Sequence, residues 1–211
     1  MSDAPALDAA IAALGRGAMV VYPTETFYGL GAAALRPAAV AAVAAVKGRE
    51  ERKPIAVIAG DEAMLGTIVG EPPPPARRLM DRFWPGPLTL VLPVRPGLPP
   101  ELSAGTGTIG VRISAHPVAR ALAAALGEPI TATSANPAGA PPPVEVARAR
   151  TYFGAQVSAY VDGGTLAGGS ASTVVSVAAD AVRLVRAGAI SIAALRRALG
   201  PIPLDVPDHG G

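Results

Sequence analysis

The sequence predicts an α/β (α+β) domain in which helices pack on a single mixed β-sheet. Three observations predict it. Short apolar runs of strand length are interspersed with segments whose apolar residues recur at helical spacing. These strands and helices alternate in some stretches and cluster in others, which fits a mixed sheet better than a purely parallel one. The chain, with 211 residues of which 50% are hydrophobic, can hide about 70% of its extended surface and is too apolar to be disordered throughout.

The elements follow in order. Asp3 is placed to cap a first helix carrying Leu7, Ile11 and Leu14, which Gly15 and Gly17 end. Met19–Tyr22 reads as a buried strand. It runs into a turn-rich loop, Pro23-Thr24-Glu25-Thr26-Phe27-Tyr28-Gly29-Leu30-Gly31, dense in hydroxyls. Pro37 opens a second helix through Val40, Val43 and Val46, with Lys47-Gly48-Arg49 at its end. Ile55–Ile58 is a strand and Asp61 caps a short helix. Pro72–Pro75 reads as a stiff connector, followed by a short helix before Phe83-Trp84-Pro85-Gly86-Pro87. Strands are expected at Leu88–Leu92, Ile109–Ile113, Ile130–Thr133, Ala159–Val161, Ser172–Val177 and Val182–Val185. Helices are expected from Pro117 to Leu126, from Val144 to Phe153, and through Ile192, Leu195 and Leu199. Residues 1–200 are read as one domain and 201–211 as a short, loose Pro- and Gly-rich tail.

Composition removes several classes of function. With no cysteine, there is no disulfide scaffold, thiolate metal site or cysteine nucleophile. His116 and His209 are the only histidines, so no histidine-rich metal cluster is expected. The formal charge of +2, from 18 Lys and Arg against 16 Asp and Glu, is far from that of a nucleic-acid-coating protein. Met1-Ser2-Asp3 gives no basic leader ahead of an apolar stretch, so no signal peptide is expected. The longest apolar run, Ala38 to Val46, is short of the roughly 20 residues that span a bilayer. A cytoplasmic protein without a membrane partner is the expectation.

Some motifs mislead. Gly105-Thr106-Gly107-Thr108-Ile109-Gly110 matches G-x-G-x-x-G, and Glu128 lies near the distance of a ribose ligand. A dinucleotide fingerprint needs a helix opening at its last glycine, whereas Val111-Arg112-Ile113 continues as a strand. The chain has no P-loop, and Gly168-Gly169-Ser170-Ala171-Ser172 is not a nucleophile elbow.

The polar residues at strand and helix ends tell more. Thr24, Thr26, Lys47, Arg49, Lys53, Thr108, Arg112, Ser134, Asn136, Ser172 and Arg186 are cations, hydroxyls and an amide. Guanidinium forks and ammonium groups suit phosphate, carboxylate and carbonate. They also suit charge that builds on phosphorus during a displacement. Each has a plainer reading. Lys47 and Arg49 would complement a helix dipole, Ser134-Ala135-Asn136 would make an ordinary turn, and Trp84 would anchor packing. Arg112 in an apolar strand is the exception, because a buried charge demands a partner.

Five blocks occur in one order: Tyr22-Pro23-Thr24-Glu25-Thr26-Phe27-Tyr28-Gly29-Leu30-Gly31, Lys47-Gly48-Arg49, Phe83-Trp84-Pro85-Gly86-Pro87-Leu88-Thr89, Gly110-Val111-Arg112 and Thr133-Ser134-Ala135-Asn136. Together they resemble the YrdC family of threonylcarbamoyl-AMP synthases, over about Leu7 to Leu199. The resemblance implies a YrdC-like twisted mixed sheet with flanking helices and a basic concave cleft. It implies an enzyme of the nucleotidyltransferase type. This enzyme would join L-threonine, bicarbonate and ATP, with Mg2+ carried on the ATP phosphates, into threonylcarbamoyl-AMP and pyrophosphate. A separate tRNA threonylcarbamoyl transferase would then use the product at tRNA position 37. By the same resemblance, Thr26, Arg112 and Ser172 hold L-threonine. Lys47, Arg49, Lys53, Thr108, Ser134, Asn136 and Arg186 hold ATP, Lys47 and Arg49 are catalytic, and no metal binds protein ligands directly.

The chain departs from that pattern in three places, one of them Ile58, where some relatives have a histidine. Pro141-Pro142-Pro143-Val144 replaces a usual Ser-Pro-Thr, and Arg49-Glu50-Glu51-Arg52-Lys53-Pro54 is unusually charged. With so little chain after Leu199, the short single-domain type is expected. The rival expectations are a non-synthase relative, a carbamoyl-adenylate-making domain of the hydrogenase-maturation type, and a non-catalytic protein of this fold that binds double-stranded RNA or tRNA.

Overall fold

The protein is described by a computed structural model covering residues 4–48, 54–98, 100–178 and 181–207. Its helices are α1 (Ala4–Gly15), α2 (Pro37–Lys47), α3 (Glu62–Ile68), α4 (Pro74–Phe83), α5 (Pro100–Ser103), α6 (Pro117–Leu126), α7 (Val146–Phe153) and α8 (Ile192–Leu199). Its strands are β1 (Val20–Tyr22), β2 (Gly29–Gly31), β3 (Val57–Ile58), β4 (Leu88–Pro93), β5 (Thr108–Arg112) and β6 (Ile130–Thr131). They continue with β7 (Thr133–Ser134), β8 (Ala159–Tyr160), β9 (Thr173–Val177), β10 (Val182–Arg186) and β11 (Leu204–Asp205).

The expected single sheet is two. Strands β7-β2-β1-β8 form one mixed sheet and β11-β10-β9-β4-β5-β3-β6 the other. The expected strand at Ile130–Thr133 divides between them. Ile130 and Thr131 pair with β3 in the larger sheet, whereas Thr133 and Ser134 pair with β2 in the smaller one. Ala132 makes the crossing, its N–H held by the Ala56 carbonyl at 2.6 Å. A continuous apolar run carries no mark of such a change of partner.

The loop read as Pro23–Gly31 also contains a strand. β2 lies antiparallel on β1, with Tyr22 opposite Gly29 and Val20 opposite Gly31. A Cβ at Gly29 would stand 2.9 Å from the Tyr22 ring, and one at Gly31 would stand 2.6 Å from it. The two glycines are therefore required by the close passage of β2 over a fully buried aromatic ring.

Three smaller differences concern proline-rich segments. Pro74 and Pro75 belong to the first turn of α4 rather than to a connector, since proline is tolerated where no helical N–H bond is needed. The short helix α5 was not expected. In the segment read as a loose tail, Leu204-Asp205 lies parallel on β10.

Other expectations hold closely. The Asp61 carboxylate accepts from the Met64 N–H at 2.7 Å at the start of α3. The His116 ring caps α6 by accepting from the Val118 N–H at 3.3 Å. Gly110 lies within β5 and Glu128 pairs with Arg36 on the surface, so the dinucleotide motif is not one. Asp3 lies outside the described residues.

Period-two alternation directs one face of the large sheet into its core and the other toward the cleft. Leu88, Leu90 and Leu92, Ile109 and Val111, and Val175 and Val177 pack with Leu79 and Met80 of α4 and with Leu195 and Leu199 of α8. The alternate residues, among them Thr89, Thr108, Gly110 and Arg112, face the cleft. The small sheet is covered by α2 and α7 through Val40, Val43 and Phe153. Between α1, α6 and both sheets lies a third cluster that includes Leu14, Leu122, Tyr22 and Ile58. No helix among the described residues is long and apolar enough to cross a membrane.

Candidate active site

A cleft of about 470 Å3 opens between the two sheets. The large sheet contributes Val57, Thr89, Val91, Thr108, Gly110 and Arg112. The last strands of that sheet add Val174, Ser176, Val185 and Arg186, and Ser172 precedes them. A register shift between Leu184 and Arg186 interrupts the β9–β10 ladder. Both Val185 and Arg186 border the cleft, as a bulge permits by re-aiming consecutive side chains. The small sheet contributes Thr24, Thr26 and Phe27 from the β1–β2 loop, and Thr133 and Ser134 from β7.

Sequence reasoning named ten site residues. Thr26, Thr108, Arg112, Ser134, Ser172 and Arg186 all line this cleft. Lys47 and Asn136 sit behind Ser134 and are buried. The Lys47 ammonium donates to the carbonyls of Ser134 at 2.6 Å and Asn136 at 2.5 Å. The Asn136 amide donates in turn to the carbonyls of Ala140 at 2.6 Å and Pro137 at 3.0 Å. Lys47 thus ties the end of α2 to the Ser134-Ala135-Asn136 turn that forms one wall. Arg49 and Lys53 lie outside the described residues.

The hydroxyls are ordered by a local network. Thr24 Oγ1 donates to the Phe27 carbonyl at 2.7 Å and accepts from the Thr26 N–H at 3.2 Å, which winds the Pro-Thr-Glu-Thr segment into a hydroxyl-stabilised turn. Arg186 donates to both the carbonyl and the hydroxyl of Ser172, at 2.8 and 3.1 Å. Ser172 Oγ lies 3.0 Å from Thr89 Oγ1. A Cβ at Gly188 would fall 2.3 Å from the Ala171 carbonyl, so the chain after Arg186 can return this close only with glycine.

Electrostatically the cleft is cationic. Arg112 and Arg186 both line it, and partial desolvation, then the nearby Arg112 guanidinium, pull Arg186 below the usual arginine range. Among the described residues, Arg112 has a half-buried acidic partner in Glu25, with Nη1 to Oε1 at 3.2 Å. The other carboxylate oxygen accepts from the Ser114 hydroxyl. Sequence reasoning missed Glu25 and Ser114. Arg112 did signal that some carboxylate must meet it, but a partner 87 positions away cannot be read from spacing. No group of three or more His, Cys, Asp or Glu that could hold a metal exists among the described residues.

Comparison with known proteins agrees with this geometry. The Sua5/YciO/YrdC family model, described as telomere recombination, matches residues 12–188. The chain belongs to this family. Among its relatives is the threonylcarbamoyl-AMP synthase of Bacillus subtilis, 40% identical over 202 residues, which are 95% of this chain and 58% of the relative. The putative threonylcarbamoyl-AMP synthase of Mycobacterium leprae is 40% identical over 194 residues, 92% of this chain and 88% of the relative. The chain thus spans little more than half of the first and most of the second. Among solved structures of the family, Pyrococcus abyssi Sua5 complexed with L-threonine superposes with a TM-score of 0.89 at 34% identity, covering 94% of this chain and 58% of that one.

Proposed function

We propose that the cleft joins L-threonine, bicarbonate and ATP into L-threonylcarbamoyl-AMP, releasing pyrophosphate. One observation carries this reading: residues from both sheets converge on a single cavity as a ring of guanidinium and hydroxyl groups. The two synthase relatives and the threonine complex of the Pyrococcus protein support it.

The chemistry follows from the groups present. The threonine amine attacks the bicarbonate carbon, an N–C bond forms and water leaves. A carbamate oxygen then attacks the α-phosphorus of ATP, and the bond to pyrophosphate breaks. The reaction is a nucleotidyl transfer and needs no covalent enzyme intermediate. Arg112, with Thr26 and Ser172, would orient the threonine carboxylate and hydroxyl. Ser134, Thr108, Arg186 and the Lys47–Asn136 wall, with Arg49 and Lys53, would hold the nucleotide and offset charge at phosphorus. Positioning and preorganised charge are the protein's contributions.

Mg2+ would arrive on the phosphate oxygens. The donor set fits that role, because Glu25 is already bonded to Arg112 and Ser114. The product would pass to a tRNA threonylcarbamoyl transferase acting at position 37, a cytoplasmic role. A non-catalytic RNA-binding protein is not favoured. A cavity of this size suits small molecules, and a duplex would need an exposed basic surface.

Mass spectrometry after incubation with ATP, L-threonine, bicarbonate and Mg2+ tests the proposal. Threonylcarbamoyl-AMP must form, and only when threonine is supplied. ATP consumption without threonine, or RNA retention without pyrophosphate release, would refute it.

A further inference from the structure

Glu25 lines a second, open cavity, bordered by Trp84, Pro85 and Ala115, and is not among the residues that line the cleft. Arg112 lines the cleft and not that second cavity, and Thr26 borders both. The carboxylate therefore meets the guanidinium from the side away from the cleft. One Nη1–H is engaged there, and the planar fork has further donors for a ligand in the cleft.

Glu25 is itself held from behind. Ser114 Oγ donates to Oε2 and accepts from the His116 N–H at 3.2 Å, and Arg120 donates to the Ser114 carbonyl. Ser114 and His116 join the end of β5 to the cap of α6. Glu25 belongs to the β1–β2 loop of the other sheet. The Arg112–Glu25–Ser114 chain is thus a strut across the two sheets at the point where Thr26 and Arg112 face one cavity.

Resting on the function proposed above, we infer that Glu25 is a positioning residue for the amino-acid substrate. It fixes the plane of the Arg112 guanidinium and the distance from Arg112 to Thr26, so that both ends of the substrate are met at once. It touches neither substrate nor ATP. Its effect must therefore fall on threonine binding and leave nucleotide binding alone.

Calorimetric titration of L-threonine and of ATP into the whole protein reads this directly. Glu25→Ala should weaken threonine binding on the order of 10- to 100-fold, as a misplaced orienting group does, with ATP affinity unchanged. Glu25→Gln retains an acceptor for Arg112 and should recover most of that loss. Ser114→Ala, which spares the ion pair, should weaken threonine binding by a few fold and serves if Glu25→Ala does not fold. A uniform loss of both affinities in Glu25→Ala, without recovery in Glu25→Gln, would show a merely structural residue. Unchanged threonine affinity in both Glu25→Ala and Ser114→Ala, beside an unaltered protein that binds threonine, would overturn this inference alone. An unaltered protein that binds ATP but no threonine would overturn the proposed function and this inference with it.

Discussion

Replacing Gly31 by alanine tests the claim that the Gly-Leu-Gly strand exists to clear the Tyr22 ring. The new Cβ would stand 2.6 Å from Tyr22 Cε1 and 3.2 Å from the Thr131 carbonyl, where ordinary contacts lie at 3.4–4 Å. Gly31 has no positive φ, so the obstacle is space rather than backbone conformation. Tyr22 cannot swing away, because it is fully buried and its hydroxyl donates to Thr131 at 2.9 Å. Overpacking of a filled core costs about 1–3 kcal/mol. At this chain length that lowers Tm by about 2–12 °C. Thermal and urea unfolding measure the loss. In a Tyr22→Leu background the same substitution should cost less, with a coupling of at least about 0.5 kcal/mol, as expected of residues in contact. A cost below that figure, or one equal in both backgrounds, would refute the steric argument. Because β2 also pairs with Thr133 and Ser134, a shifted β2 should disturb the cleft wall and slow pyrophosphate release as well.

Lys47→Met leaves the Ser134 and Asn136 carbonyls without their ammonium donor, and should cut ATP-to-pyrophosphate turnover about 100-fold or more, as loss of an oxyanion donor does; turnover within a few fold of normal would remove Lys47 from the site. Ser172→Ala breaks the link between Arg186 and Thr89, and should raise KM for threonine several-fold with a smaller change in kcat, read by varying threonine at saturating ATP. Burial lowers His116 from its ordinary value of 6.5, against the opposing pull of Glu25. The folded protein thus binds fewer protons than the unfolded chain below that pH. This contribution to stability is complete above 6.5 and is lost as pH falls toward the lowered folded value. His116→Ser, which keeps a cap acceptor, should flatten the fall of urea midpoints as pH drops below 6.5.

The sequence made some of this legible and hid the rest for physical reasons. Helices announced themselves where a proline or a capping aspartate marks the start, as at Pro37, Asp61 and Pro117. Strands were readable as short apolar runs, as in Leu88-Thr89-Leu90-Val91-Leu92, whose even and odd members part between core and cleft. Six of the ten candidate residues line one cavity because they share a register position at strand ends or adjoining turns. Pairing was not readable. Ile130-Thr131-Ala132-Thr133 looks like one strand, and only the competing edges of β3 and β2 divide it. The Glu25 partnership was hidden for the same reason: a residue's neighbours along the chain say nothing about what a second sheet brings against it.

The division at Ala132 creates the site. Had the chain after β6 continued along β3, Ser134 and Asn136 would extend the edge of the large sheet, away from Arg112. By crossing at Ala132 it pairs with β2 instead, and this sets Ser134 beside Gly29 and within the cleft that Arg112 lines. The crossing is held by the Ala132 N–H on Ala56 and by the Tyr22 hydroxyl on the Thr131 carbonyl. The latter bond requires the Tyr22 ring, and the ring in turn requires glycine at 29 and 31. The motif residues that never touch a ligand are therefore conditions for those that would. Tyr22→Phe, which removes that hydroxyl and keeps the ring, leaves the buried Thr131 carbonyl without this donor, at a cost of about 1–3 kcal/mol. It should also weaken nucleotide binding through the displaced Ser134 wall. Loss of stability with ATP affinity intact would separate the crossing from the site and defeat this account.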